Sequence, residues 1–302
     1  MTGAIGLRDV TLRDGLQTEA PIATADKLAV FDALVRAGVH DLELCSFVRP
    51  DRVPTMADAP ELAAATAGTD VERWALVLNQ RGAQRATAAG MDRLQLVVSV
   101  SETHSRHNAG RTPGEALDEL SAIVTDVPAG TVVEVTLSTA FGCPYEGPTA
   151  AADVLRAAER TLAAGAAGLS LADTIGTATP REVRHLVSAT RRLAGDVPVG
   201  AHLHDTRGLG VANALAAIEA GAHRIDGTVG GLGGCPFAPG ASGNLALEDL
   251  VHVLEEEGVD TGIDLERLID AAHLACGLAG RPAESHLAKA GRRFAALAED
   301  PR

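Results

Sequence analysis

Thr149 to Ala172 reads TAAADVLRAAERTLAAGAAGLSLA. Up to Ala164 the segment is rich in Ala and Leu with charges interspersed, as in an amphipathic helix. Ala164-Gly165 then stops that helix, and Gly168 to Ala172 has the length and apolar character of a buried strand. The same junction recurs at Ala37-Gly38, Ala89-Gly90 and Ala220-Gly221. Working outward, strands are predicted at Ile5 to Thr11, Asp41 to Ser46, Arg73 to Leu78, Arg93 to Val100, Thr131 to Ser138, Gly168 to Ala172, Val197 to His204 and Arg224 to Val229. Helices are predicted near Thr24 to Ala37, Ala57 to Ala67, Arg81 to Ala89, Pro113 to Asp126, Thr149 to Ala164, Pro180 to Ala194, Val211 to Ala220 and Asn244 to Glu257. Thr24 and Thr179 sit where N-caps belong, and Gly38, Gly90, Gly165, Gly221 and Gly258 where helices stop. Eight successive βα units favour an α/β fold closed as a (β/α)8, or TIM, barrel over an open doubly wound sheet. The expected organisation is one domain, with the barrel at about 4–258 and extra C-terminal helices, beginning with Asp264 to Gly280, capping it over about 259–302.

The chain has 302 residues, 46% of them hydrophobic, and a formal net charge of −14. That balance argues against nucleic acid or an anionic membrane as partner, since both demand a basic face. An anionic substrate must therefore meet arginines placed locally. The four cysteines, Cys45, Cys143, Cys235 and Cys276, form no CxxC pair, so neither a disulfide scaffold nor a zinc knuckle is indicated and a reducing cytoplasm is expected. MTGAIGLRDVT at the N-terminus lacks the basic and long apolar regions of a signal peptide, and no apolar run approaches the ~20 residues of a membrane helix.

In a barrel, chemistry belongs to the C-terminal ends of the strands and the βα loops. In Val199-Gly-Ala-His202-Leu-His204-Asp205, extended geometry puts the two histidines on one face, the start of a metal site. The plainer reading is a core histidine and a second at the strand mouth. Strand one runs into Arg13, Asp14 and Gln17, strand two carries Glu43, strand six ends in Asp173, and strand eight feeds a Gly-rich loop holding Cys235 and Asn244. Read singly, Arg13 and Asp14 form a solvated ion pair, Asp173 and Asn244 are helix caps, and Cys235 is a small buried residue. Taken together at one barrel mouth, they describe a site. Glu43 and Glu134 are charges inside β-runs, where each needs a partner or a metal, and Glu43 lies nearer its strand's C-terminal end. Asp14, His202, His204 and Asn244 offer two oxygens and two imidazole nitrogens, a set that suits Mg²⁺ or Mn²⁺ at least as well as Zn²⁺.

Six motifs carry a resemblance spread over almost the whole chain: TLRDGLQ at Thr11 to Gln17, SFVRPDRVPTMAD at Ser46 to Asp58, FGCPYEG at Phe141 to Gly147, LADTIGTATP at Leu171 to Pro180, HLHDTRG at His202 to Gly208, and GLGGCPFAPGASGNLALEDLV at Gly231 to Val251. The sequence resembles the 3-hydroxy-3-methylglutaryl-CoA lyases among the metal-dependent lyase and acyl-synthase barrels. The resemblance implies a divalent cation, Mg²⁺ or Mn²⁺, held by Asp14, His202, His204 and Asn244. It implies that Arg13 stabilises enolate charge and that Cys235 transfers a proton from a flexible loop. Glu43, Asp173 and Glu248 correspond to active-site or supporting acids. Arg207 stands where many members have an aromatic, and the loop reads CPF in place of CPY.

The implied reaction cleaves 3-hydroxy-3-methylglutaryl-CoA to acetyl-CoA and acetoacetate, as in leucine degradation. The acyl-CoA would meet Gln17, Arg49 and Arg52, with Arg106 and Arg111 as further candidates for its phosphates. A homo-oligomer, dimer or higher, is expected. The competing readings are a lyase for a related branched 3-hydroxyacyl-CoA, a condensing synthase of the same superfamily, and a non-catalytic metal-binding barrel.

Overall fold

A computed structural model describes residues 5–234 and 243–292. Its strands are β1 (Gly6–Asp9), β2 (Asp41–Ser46), β3 (Glu72–Val77), β4 (Arg93–Ser99), β5 (Val132–Ser138), β6 (Gly168–Asp173), β7 (Val199–Leu203) and β8 (Arg224–Gly227). They close in the order β1-β8-β7-β6-β5-β4-β3-β2, with every neighbouring pair parallel. Each predicted strand is present, with ends moved by a residue or two.

The alternation within β5 shows how sequence sets the layers. Val133, Val135 and Leu137 are buried in the apolar core, whereas Glu134, Thr136 and Ser138 point the opposite way. In β4, Leu94, Leu96 and Val98 belong to the core, and Gln95 hydrogen-bonds to Thr136 inside the barrel. The barrel interior is therefore polar, and the main hydrophobic core lies between the strands and the outer helices.

Those helices are α1 (Thr24–Arg36), α2 (Ala59–Ala65), α3 (Gln80–Ala88), α4 (Glu102–Ala109), α5 (Pro113–Asp126), α6 (Ala151–Ala163), α7 (Pro180–Ala194), α8 (Gly210–Glu219), α9 (Leu247–Glu256), α10 (Leu265–Leu278) and α11 (His286–Ala290). Thr179 caps α7 in a reciprocal box with Glu182. Gly38, Gly90, Gly165, Gly221 and Gly258 all have φ between +78° and +91°, the left-handed termination that their position predicted. Thr24 departs from expectation: Ala23 is the N-cap of α1 with no side-chain bond, and the Thr24 hydroxyl instead donates to Asp58 Oδ2 at 3.0 Å. Asp58 also accepts from the buried Lys27 at 2.6 Å, so this corner is fixed by a side-chain cluster.

Three further differences shape the mouth. β1 stops at Asp9, and Thr11–Gly15 forms one turn of π-helix. α4 follows β4 before the expected α5, and a short hairpin pairs Gly142–Cys143 with Gly147–Pro148. In the predicted cap region, α10 packs against α1 and α9 in the outer ring, pinned by Asp264 N donating to Ala37 O at 2.8 Å. Past α10, Glu284 N reaches Gly230 O at 2.9 Å and Arg281 pairs with Glu19. No helix among the described residues is long and apolar enough to cross a membrane.

Candidate active site

The π-turn after β1 decides where Arg13 and Asp14 point. Asp9 accepts from Thr11 N at 2.9 Å and from Thr11 Oγ1 at 2.8 Å, and Thr11 Oγ1 accepts from Val229 N at 2.8 Å. The loops after β1 and β8 are thus tied together, and the wide turn aims Arg13 and Asp14 inward, at the kind of place where π-turns serve function. Burial pushes the Asp9 carboxyl up to about 7 against these hydrogen bonds.

Arg13 pairs with Asp14 and reaches Glu43 Oε2 through Nε at 2.7 Å and through NH2 at 2.6 Å. Burial works against the guanidinium charge, but Asp14 and Glu43 outweigh it and hold Arg13 above its ordinary range. Burial raises Glu43 despite Arg13, and its Oε1 has no hydrogen-bond partner among the described residues. Asp14 is held well below the usual carboxylate range, because Arg13, His202 and His204 outweigh its burial.

Asp14 Oδ2 lies 3.7 Å from His202 Nε2 and 3.8 Å from His204 Nε2, and the two Nε2 atoms are 3.2 Å apart. One atom from each of the three lies within 4.8 Å of the others, a group able to hold a metal ion. Desolvation, then the neighbouring His202, lowers His204 to about 4 and keeps it neutral, as a ligand imidazole must be. His202 is raised, because Asp226 and Asp14 outweigh its burial. Asn244 is brought in by a backbone bridge to His204, and its Nδ2 donates to Asp14 Oδ2 at 2.8 Å and to Leu232 O at 3.2 Å. Asn244 Oδ1 is buried with no hydrogen-bond partner among the described residues. This packing demands glycine at 233: φ there is +108°, and a Cβ would stand 2.6 Å from Asn244 Nδ2.

These groups face a cavity of about 1050 Å³ that runs to a basic rim of Arg49, Arg52, Arg81, Arg85 and Arg106. Its volume is at the upper end of the ~300–1,000 Å³ typical of small-molecule sites. Gln17 also lines it, as do Gln95, Ser138 and His104 deeper in. The rim supplies the local positive charge that the chain's overall −14 made necessary.

A profile described as HMGL-like matches residues 4–275. The chain belongs to the HMGL-like family. It is 39% identical over 287 residues to the hydroxymethylglutaryl-CoA lyase of Bacillus subtilis, covering 93% of this chain and 95% of that one. It is 40% identical over 301 residues to the (R)-citramalyl-CoA lyase of Chloroflexus aurantiacus, with 95% of each covered. Among solved structures, an HMG-CoA lyase from Acinetobacter baumannii in complex with coenzyme A and 3-methylmalate superimposes with a TM-score of 0.93, at 39% identity and 98% coverage of both chains.

In this HMGL-like barrel, Arg13, Asp14, Glu43, His202 and His204 line one cavity with Gln17, Arg49 and Arg52, and Asn244 adjoins through its bond to Asp14. Four candidates, Asp173, Glu134, Arg111 and Glu248, fall elsewhere. Asp173 holds the turn after β6, accepting from Thr177 N and Ala178 N at 2.9 Å, and does not line the cavity. Glu134 pairs with Arg8 and Arg224 inside the barrel, which answers its need for a partner. Arg111 is bound to Glu119 and is absent from the rim. Cys235 lies outside the described residues; Gly234 before it lines the cavity. Glu248, at the start of α9, accepts from Gly230 N at 2.8 Å and is pushed by burial up to about 7. Arg207 clasps the loop after β6 through Ile175 O and Gly176 O. Asp226, which stands beside His202, is a further functional candidate, a charge inside a β-run as Glu43 and Glu134 are.

Proposed function

We propose that this protein is a carbon–carbon lyase that cleaves 3-hydroxy-3-methylglutaryl-CoA to acetyl-CoA and acetoacetate, with a divalent cation, Mg²⁺ or Mn²⁺, as cofactor. The observation that carries the reading is the Arg13–Glu43 ion pair set directly against the Asp14–His202–His204 group in one cavity. Asn244 Oδ1, buried and without a hydrogen-bond partner among the described residues, and the neutral His204 are donors of the kind such a cation takes, which supports the fit. Asp14, His202 and His204 would hold the ion, with Asn244 as a further ligand. When bound, it supplies Lewis-acid polarisation of the substrate oxygens.

The substrate's tertiary hydroxyl gives up its proton to a base, its oxygen becomes a ketone, and the C2–C3 bond breaks with the electron pair left on the carbon next to the thioester. Arg13, kept charged and oriented by Glu43, stabilises that enolate where its charge develops. The Cys235 thiol returns a proton to the enolate carbon. Asp173 acts on the loop after β6 as a positioning residue. Gln17, Arg49 and Arg52 receive the CoA portion at the rim. The reading further places the enzyme in the cytoplasm as a homo-oligomer, dimer or higher, without nucleic-acid or membrane partners.

A second reading is favoured by the Chloroflexus relative: cleavage of citramalyl-CoA, whose acid arm is one methylene shorter and whose ketoacid product is pyruvate. Incubating the purified protein with each thioester and Mg²⁺ or Mn²⁺, then identifying the ketoacid by mass spectrometry, decides between them. Acetoacetate supports the first reading and pyruvate the second. Release of acetyl-CoA from neither thioester contradicts both.

A further inference from the structure

We infer that Asp226 is the residue that positions His202 as a ligand, by holding its Nδ1–H so that the Nε2 lone pair faces Asp14 and His204. The inference rests on the metal reading above. β7 and β8 are paired in register with His202 opposite Asp226, so both side chains enter the barrel at one level. Asp226 Oδ2 lies 3.5 Å from His202 Nδ1, while the other ring nitrogen faces Asp14 at 3.7 Å. The imidazole therefore spans two carboxylates, and which of them takes its proton determines which nitrogen is free for an ion. Arg224 settles this. Its Nε donates to Asp226 Oδ1 at 2.8 Å and its NH1 to Glu134 Oε2 at 2.8 Å, and Glu134 is bound in turn by Arg8. Asp226 is thus pinned from below, 4% exposed, with its second oxygen turned to His202. A ligating histidine characteristically donates its other N–H to such an acceptor, which fixes the tautomer and strengthens the ligand. His204 differs: its Nδ1 is buried with no hydrogen-bond partner among the described residues.

The test is a titration of metal-free protein with Mn²⁺ alone, following the free ion by electron paramagnetic resonance, for wild type, Asp226→Asn and Glu134→Gln. Asp226→Asn keeps the shape and removes the charge, and should weaken Mn²⁺ about 10–100-fold. Glu134→Gln loosens the same network without touching His202, and should lower thermal stability while leaving Mn²⁺ affinity within about twofold of wild type, a size of change well below that expected for an outer-shell partner. Folded Asp226→Asn binding Mn²⁺ as tightly as wild type overturns the inference alone, and wild type that binds no Mn²⁺ overturns the metal reading together with it. Should Asp226→Asn fail to fold, ¹⁵N spectra of the Mg²⁺-loaded wild type decide: a proton on His202 Nδ1 supports the inference, and a proton on Nε2 overturns it.

Discussion

At the N-terminal end of the barrel interior Asp41, Arg8, Glu134 and Arg224 alternate in sign, each bonded to a neighbour, with the Arg8 guanidinium stacked 3.9 Å from the Trp74 ring. At the C-terminal end Asp14, His202, His204, Asn244 and Glu43 are as tightly gathered, yet His204 Nδ1, Asn244 Oδ1 and Glu43 Oε1 have no hydrogen-bond partner among the described residues. Both ends bury charge, which is costly unless it is compensated. The lower end compensates almost entirely with its own side chains, one Arg224 nitrogen excepted, and has the character of structure. The upper end leaves buried polar atoms without such compensation beside a cavity lined by Arg13, Asp14, Glu43, His202 and His204, and has the character of a binding site.

If that contrast is right, substitutions at the two ends fail in different ways. The largest effect belongs to the mouth: His204→Ala should bring metal-dependent turnover down by more than the ~10–100-fold that loss of an outer-shell partner costs, with little change in melting temperature. At the floor, Glu134→Gln removes the carboxylate shared by two buried arginines, which keep Asp41 and Asp226 as partners, and should cost about 1.5–3 kcal/mol of stability in urea unfolding, while the folded variant keeps its kcat. Arg13→Lys returns to chemistry: an ammonium does not reproduce the fork held by Glu43 and Asp14, so kcat should fall on the order of 10²-fold with KM nearly unchanged. A change in KM alone would move Arg13 to substrate binding. A thiol reagent should modify Cys235 before Cys45, Cys143 or Cys276, all three of which are buried, and acyl-CoA should protect it. Peptide mapping with and without ligand checks this.

The smallest effect is a pH dependence. Asp9 and Glu248 are raised by burial to about 7, so between about pH 4 and 7 they are protonated in the folded protein and ionised in the unfolded chain. Their contribution to stability is therefore present at low pH, declines as pH rises through that window, and is gone above it. Glu248→Gln keeps the acceptor for Gly230 N, and its melting temperature should drop by less than that of wild type between pH 5 and pH 8.

The strands were legible because each is a short apolar run closed off by an Ala-Gly stop, a signal that lies within a few residues. His202 and His204 were legible for the same local reason, being two apart in a strand. What escaped depends on residues distant in sequence. The π-turn that aims Arg13 and Asp14 is fixed by Val229 on the far side of the closure. Thr24 serves Asp58 instead of its helix because α1 and the loop before α2 meet only in the fold. Asp173 sits at the expected strand end but spends both oxygens on its own turn, which spacing alone does not distinguish from an acid facing the cavity. Asp226 was hidden between its neighbours in Arg-Ile-Asp-Gly, and its role emerges only when β8 is set in register against β7.

Anomalous scattering from a crystal soaked in Mn²⁺ would locate the ion. One strong manganese peak is expected within ligand distance, about 2.0–2.6 Å, of Asp14 Oδ2, His202 Nε2 and His204 Nε2. Manganese bound elsewhere, with these three residues left in contact only with one another, would contradict it.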